Sequence, residues 1–387
     1  MIPDLLYIGI LLFSSALIIY AYTLYPLFLK CITFGRSYGR TTSFNPKVSI
    51  IVPAYNEGKI IRQKIENCLS LDYPKDLLQV MICSDASTDR TTAIAAEYAN
   101  RGVTVVDYRE RSGKTGVMNK SIPLADGEIV VLTDANTMFR PDAVKSLVSL
   151  YTSEKVGAVL GRVDLHNPDS TVGLKGEIKY RAFEANLKHY EGLFGAALGA
   201  FGGLYSIRKN LYVPLPPNAY SNDDFLTPLR IMQQGYQVLF DLQAVSTEET
   251  GQTVSEEFNR RIRIGAGNFQ SFFLLLPMLN PFLGMPFILY VSHKVLRWFS
   301  PFILLLIFAA SVPLLHLRPF TWLFWSQCLL YGVAVLGALL ATIKVKIPGV
   351  SAIYHFVSMN VALFFGFFRY LRGIKSAVWQ STERASS

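Results

Sequence analysis

Hydrophobic positions in this chain follow two regimes. Four stretches run without Asp, Glu, Lys or Arg for about a bilayer crossing or more: Leu5–Leu29, Trp298–Leu317, Pro319–Ile343 and Ile347–Phe368. A crossing takes roughly 20 residues. Between Lys30 and Arg263 the apolar runs are short and periodic. Val48-Ser49-Ile50-Ile51-Val52 predicts a buried strand, after which Ile61, Ile65 and Leu69 recur at helical spacing. Val80–Cys83 predicts a second strand and Thr91–Tyr98 a helix. Val103–Val106, Ile129–Leu132 and Val156–Val163 read as further strands, with a helix from about Lys114 between the first two. Such alternation predicts an α/β domain whose mainly parallel sheet is covered by helices. Ligands of these sheets bind at the carboxyl ends of the strands.

Composition sharpens this picture. The chain of 387 residues is 51% hydrophobic and 17% charged, whereas a soluble domain carries roughly 25% charged residues. A wholly soluble enzyme, a disordered chain and a small disulfide scaffold are excluded. Cys31, Cys68, Cys83 and Cys328 are far apart, without CxxC spacing or neighbouring histidines, and read as inert thiols. The basic residues behind the net charge of +9 form no one long run, and many flank the apolar stretches, such as Lys30, Arg36, Arg40 and Lys47, and Arg369, Arg372 and Lys375. That placement fits a lipid bilayer as partner and no nucleic acid.

The first stretch lacks a basic N-terminal flank and exceeds the 7–15-residue apolar core of a signal peptide, so it is expected to be an uncleaved anchor. Basic residues after it place the following domain in the cytosol. Trp298–Leu317 and Pro319–Ile343 form an expected hairpin. Ile347–Phe368 either crosses, against the charge rule, or lies in the interface. The apolar run between Arg263 and Lys294 is broken by Pro277, Asn280, Pro281 and Pro286, as expected of interfacial helices. The expected organisation is an anchor at 1–30, a domain at 31–263, interfacial helices at 264–297, membrane helices at 298–371 and a tail at 372–387.

Three acidic loops follow strands: Pro53-Ala54-Tyr55-Asn56-Glu57, Ser84-Asp85-Ala86-Ser87-Thr88-Asp89 and Thr133-Asp134-Ala135-Asn136. Asp85 and Ser87 either serve a ligand or turn the chain and cap a helix. Glu57 either serves a ligand or favours the start of the next helix. A carboxylate such as Asp134, ending an apolar strand, is expensive to leave unpaired. Arg111-Ser112-Gly113-Lys114 precedes a helix start whose amides suit a phosphate. No Walker loop and no GxGxxG after a strand is present, which argues against a P-loop ATPase and a dinucleotide dehydrogenase. His166, His189 and His293 lack ligand spacing and read as structural.

These loops, with Gly113-Lys114, Asn222-Asp223-Asp224 and Arg260-Arg261-Ile262-Arg263-Ile264 in that order, resemble the successive motifs of family-2 glycosyltransferases. The resemblance is to the membrane-embedded branch, which includes cellulose, chitin, hyaluronan and poly-N-acetylglucosamine synthases and ceramide glucosyltransferase. It implies a GT-A-like, Rossmann-like mixed and mainly parallel sheet domain with transmembrane and interfacial helices. It further implies an inverting transfer from a UDP-sugar to a polysaccharide or lipid acceptor at a bacterial inner membrane, with polysaccharide synthesis favoured over lipid glycosylation. Pro53, Tyr55, Glu57, Asp85, Lys114, Asp134, Arg260 and Arg263 would bind the donor. Asp134 and Asn136 would hold Mg2+ or Mn2+, Asp224 would be the base, and Gly202, Gly203 and Asp223 would face the acceptor. Asn136 replaces the family's second metal-side carboxylate, and Ile264 its usual Trp. For Asp223 and Asp224 the other reading is a favourable helix start; for Arg260 and Arg263 it is pairing with Glu256, Glu257 or lipid headgroups. An inactive nucleotide-binding scaffold of the same fold is the rival of another class.

Overall fold

The computed structural model describes residues 2–166, 174–217, 219, 222–249, 254–343, 345 and 347–373. The expected tail lies outside the described residues beyond Gly373. The chain divides into two compact units. A sheet unit comprises Ile32–Gln252 and Leu274–Phe287; a helical unit comprises Met1–Cys31, Thr253–Phe273 and Ile288–Gly373.

In the sheet unit the strands are β1 (Val48–Ala54), β2 (Leu78–Asp85), β3 (Val103–Tyr108), β4 (Ile129–Leu132), β5 (Thr137–Phe139), β6 (Val156–His166), β7 (Tyr205–Arg208) and β8 (Gln237–Glu249). They form one sheet in the order β3-β2-β1-β4-β7-β6-β8-β5. The pairs β1–β2, β1–β4, β2–β3 and β6–β8 are parallel, while β4–β7, β6–β7 and β5–β8 are antiparallel. The sheet is mixed and mainly parallel, as the alternation predicts. Every residue of Val48–Val52 is buried, because helices cover both faces and a doubly covered strand is apolar throughout.

The helices, in chain order, are α1 (Ile2–Ile19), α2 (Tyr25–Ile32), α3 (Ile61–Leu69), α4 (Thr91–Ala96), α5 (Gly113–Ser121), α6 (Ala143–Ser149), α7 (Leu174–Gly192) and α8 (Asp223–Gln233). Then come α9 (Val254–Leu274), α10 (Met285–Leu289), α11 (Leu296–Trp298), α12 (Ser300–Ser311), α13 (Arg318–Thr342) and α14 (Pro348–Leu371). On α3 the buried face is Ile61, Lys64, Ile65 and Cys68, so one lysine sits on an otherwise apolar stripe.

Among the described residues, three helical stretches of the helical unit are long and apolar enough to cross a membrane: Pro3–Ile32, Arg318–Thr342 and Pro348–Leu371. The last spans 24 residues, a length that suits the crossing alternative for that segment. Trp298–Leu317 is not one continuous helix as expected. Its helix α12 has 12 residues, too few to cross alone. Pro301 fits its first turn and Pro313 follows its end, and proline is tolerated at a helix start but not in its interior. Met285–Trp298 and Ser300–Ser311 meet at a bend of 62° and together are apolar enough for one broken span.

Helix α9 packs on α14 at backbone distance. A Cβ added to Gly366 would lie 2.8 Å from Gly265 Cα and from Ala266 N. Phe269 of α9 then stacks edge-on against Phe367, Phe299 and Phe302. Small residues at such a crossing let helices approach in lipid, where apolar burial alone gives no drive.

Candidate active site

The carboxyl ends of β1 and β2 carry two loops that are laced together. Asn56, in the left-handed region at φ 53°, accepts from Thr88 N at 2.8 Å and donates to Thr88 Oγ1 at 3.2 Å. Asn56 N donates to Ser87 Oγ at 3.2 Å, and Gly58 N to Asp89 Oδ2 at 2.9 Å. Glu57 is buried, its amide donating to Thr91 Oγ1 at 2.8 Å. The Arg111 guanidinium lies 3.5 Å from the centre of the Tyr55 ring, a stacked cation–π pair. Pro53 lies within β1, opposite Cys83 of β2.

Asp85 reaches across to the start of α5. It accepts from Ser112 N at 2.7 Å, from Ser112 Oγ at 3.2 Å and from Gly113 N at 2.8 Å. It therefore caps α5, a helix that begins 28 residues further along, while Asp89 serves the start of α4 through Thr91 N at 2.9 Å. The Ser112 and Gly113 amides at this helix start are thus engaged by the protein's own carboxylate in this structure. What Asp85 achieves is placement of the next residue, Lys114, at the cleft.

Lys114 Nζ bridges Asp134 Oδ1 at 2.8 Å and Asp223 Oδ2 at 3.1 Å. The two aspartates arrive from opposite directions: Asp134 just after β4, Asp223 and Asp224 in the first turn of α8. Helix α5 fixes the approach to α8, since Asn119 accepts from Tyr212 OH at 2.7 Å and Leu215 N at 3.0 Å and donates to Leu215 O at 2.8 Å. Gly202, at φ 80°, faces the cluster, and a Cβ there would lie 3.3 Å from Asp134 Oδ2 and 3.4 Å from Asp224 Oδ2. Both the backbone angle and the missing side chain matter at this position. Gly203 adjoins Thr137 Oγ1, which a Cβ would approach to 2.7 Å.

Electrostatics follow from this crowding. Burial, and then the Asp223 charge, push the Asp224 carboxyl up to about 7 against the pull of Lys114 and Lys188. Burial also works against the Lys114 ammonium, yet Asp134, Asp223 and Asp224 together hold its pKa above the ordinary lysine value. Carboxylates gathered in one place resist joint ionisation, and a lysine among them stays charged.

Two buried lysines escaped the sequence reading. Lys64 is fully buried under the Asp134 loop, donating to Thr133 Oγ1 at 3.0 Å and to Thr137 O, with the Phe139 ring centre 3.8 Å away. Thr133 Oγ1 in turn donates to Gly203 O at 2.7 Å. Desolvation brings the Lys64 pKa down to about 8, while Cys68 and Asp134 draw it the other way. Its signal was its place among Ile61, Ile65 and Cys68 at helical spacing. The second is Lys188 of α7, which donates to Ala200 O at 3.1 Å.

A divalent cation would be met by oxygens only. Asp134 offers a carboxylate, and Asn136 donates its amide nitrogen to Glu248 Oε1 at 3.3 Å, which leaves the amide oxygen as the end for a cation. Hard oxygen donors of this kind suit Mg2+ or Mn2+. Among the described residues no group of three His, Cys, Asp or Glu side chains is arranged to hold a metal by itself, so waters and bound phosphates would complete the shell. The cluster described so far belongs to the sheet unit alone. Arg260 and Arg263 ride one turn apart on α9 of the helical unit, and the side chains of Glu256 and Glu257 lie outside the described residues. His189 is structural as expected, its Nδ1 3.1 Å from Phe240 O and its ring edge-on to Tyr38; the His166 side chain lies outside the described residues.

Residues 49–211 match the sequence profile of Glycosyl transferase family 2. The beta-monoglucosyldiacylglycerol synthase of Nostoc sp. is 32% identical over 169 residues, covering 43% of this chain and 35% of that protein. The poly-beta-1,6-N-acetyl-D-glucosamine synthase of Staphylococcus epidermidis is 25% identical over 230 residues, covering 58% of this chain and 55% of that protein. The matches thus span only about a third to just over half of these relatives' lengths. In fold, the chain is similar to a mannosyltransferase of Pyrobaculum calidifontis solved with GDP-Man and Mn2+. The TM-score is 0.68 at 24% identity, over 94% of this chain and 99% of that one. Acidic loops at the ends of β1, β2 and β4, a mixed sheet of this order and the profile match agree: residues 49–211 form a domain matching family-2 glycosyltransferases, and the fold is GT-A-like.

Proposed function

We propose that the protein is an inverting glycosyltransferase that moves a sugar from a UDP-linked donor to a glycan or lipid acceptor at a membrane, with polysaccharide synthesis favoured. The observation that carries this reading is the gathering of Asp134, Asp223 and Asp224 around the Lys114 ammonium, with the Asp224 carboxyl held at about 7. A carboxylate of that proton affinity at the cleft suits the removal of a proton from an acceptor hydroxyl near neutral pH. Asp224 takes that proton as the hydroxyl attacks the anomeric carbon, and one displacement inverts the configuration. Lys114 presents positive charge to the departing diphosphate; the resemblance makes Arg260 and Arg263 donor-binding residues as well, and guanidinium groups match phosphate geometry. Asp134 with Asn136 would hold Mg2+ or Mn2+, which when bound neutralises charge on the leaving phosphates. Tyr55 with its stacked Arg111, Pro53, Glu57 and Asp85, which also holds the Gly113–Lys114 turn, form the nucleotide end. Gly202, Gly203 and Asp223 face the acceptor.

Support for a polysaccharide product comes from the synthase match that covers more of the chain, 58% against 43% for the glycolipid synthase. The glycolipid relative's higher identity, 32%, favours lipid glycosylation as the second reading. The helical unit is assigned to a bacterial inner membrane, with the sheet unit on the cytosolic side. The test is product mass analysis with purified protein in lipid, supplied with UDP-linked and GDP-linked sugars and Mn2+, and Asp224→Asn as control. Extended glycans support the first reading and single-sugar lipids the second. Tight nucleotide binding without turnover would sink both in favour of a scaffold.

A further inference from the structure

Helix α7 carries a stripe of charged residues that does not face water. Arg181, Glu184, Lys188 and Glu191 follow one another at helical spacing on one side, and the last three are 6%, 4% and 0% exposed. Burying charge is expensive unless each group is paired and directed. Three of its residues, Arg181, Lys188 and Glu191, reach one short segment. Lys188 Nζ donates to Ala200 O at 3.1 Å and stands 3.8 Å from the centre of the Phe201 ring. Glu191 Oε2 accepts from Leu198 N at 3.3 Å. The Arg181 guanidinium lies 5.5 Å from the Phe201 ring centre and 3.8 Å from Glu248 Oε2, and Glu248 is the residue that holds Asn136. A donor and an acceptor from one helix thus grip the backbone of Leu198–Phe201 from behind.

The front of that segment faces the carboxylates. Ala200 N donates to Asp224 O at 2.9 Å, and Gly202, two residues on, is the position within 3.4 Å of both Asp134 and Asp224 oxygens. Leu198–Gly203 therefore sits between the α7 stripe and the first turn of α8, and it turns through left-handed glycines at Gly199 and Gly202. Such a segment has little internal preference for one path; its position is imposed from outside.

We propose that Lys188 is a positioning residue that holds the Leu198–Gly203 segment against Asp224 and so sets the space in which the acceptor hydroxyl meets the base. This rests on the glycosyltransferase reading for its kinetic consequence, though not for its structural one. Lys188 itself does not touch substrate. It acts through Ala200 and Phe201, with the aromatic face retaining the ammonium and Glu191 fixing the adjacent turn.

The test compares wild type with Lys188→Met, Lys188→Arg and Phe201→Leu in lipid, using UDP and the active nucleotide sugar as probes. Amide hydrogen exchange of peptides covering 198–204 is expected to quicken at least tenfold in Lys188→Met, with β1 and β2 unchanged, and to recover in Lys188→Arg. In kinetics, Lys188→Met is expected to lower kcat or raise the acceptor KM by on the order of 10–100-fold, with donor KM within about threefold of wild type, and arginine to restore most of the loss. Phe201→Leu is expected to give a smaller change of the same pattern. Unchanged exchange in Lys188→Met would overturn the proposal. So would equal losses of donor and acceptor binding without arginine rescue, which mark a general loss of structure. A wild type without transfer activity but with quickened exchange in Lys188→Met would sink the glycosyltransferase reading and leave the grip on the segment standing.

Discussion

The carboxyl edge of the sheet and the α9–α14 crossing are both tight, and for opposite reasons. At the sheet edge, Lys114, Asp134, Asp223 and Asp224 are brought together at a cost in ionisation, visible in the Asp224 carboxyl pushed up to about 7. At the crossing, Gly265 and Gly366 meet through backbone, and the surrounding contacts are aromatic rings. The first place is organised by charge and is less stable for it. The second is organised by shape and has nothing to titrate at the contact itself. A charged cluster and a packed joint therefore answer differently to mutation and to pH.

The largest expected separation comes from Asp224→Asn. It should lower kcat on the order of 10²–10⁴-fold while making the fold more stable. The folded pKa of Asp224 is raised from the ordinary 3.8 to about 7, so the ionised form is disfavoured in the fold at any pH above 7, and that penalty fades as the pH falls toward 4. Thermal unfolding at pH 8 should show a gain of about 2 kcal/mol, and at pH 4 none. In the wild type, kcat/KM should rise with pH through about 7 and then level. A stability loss in Asp224→Asn at pH 8 would erase the contrast.

Gly366→Val should act at the other place, costing about 2–3 kcal/mol through overpacking with no dependence on pH. Thermal melts across pH 5–9 check this, and a pH-dependent loss would contradict a joint made by shape. Lys64→Met sharpens the first place from beneath. The folded pKa of Lys64 is about 8 against an ordinary 10.5, so the unfolded chain binds more protons between those values. Stability should rise with pH across that window, by about 2 kcal/mol; Lys64→Met should flatten the rise, and melts at pH 8 and 10 measure it. The smallest effect concerns Ala86, which holds φ 57° in the loop after β2. Ala86→Gly relieves that conformation and should stabilise by about 1 kcal/mol, with donor KM unchanged.

Legibility in the sequence divided along the same line. The strands were readable because doubly covered strands are apolar throughout, and β4 spans the four residues its pattern indicates. The acidic loops were readable because strand ends are where such sheets keep their ligands. The capping role of Asp85 was not, since its partners stand 27 and 28 residues away and no local spacing announces them. The α7 stripe was missed because charged residues at helical spacing ordinarily face water, and only tertiary contact shows that Lys188 and Glu191 face inward. The break between α11 and α12 was missed because a charge-free count registers hydrophobicity and not the prolines that bound a helix.

The lacing of Asn56 to Ser87 and Thr88, and of Gly58 to Asp89, has an engineering consequence. Two rims contributed by neighbouring strands are tied into a single lip, so on the proposed reading a change of nucleobase preference calls for more than one substitution at a time. Swapping the two segments together, as a cassette from a relative of different donor choice, is the practical unit of redesign.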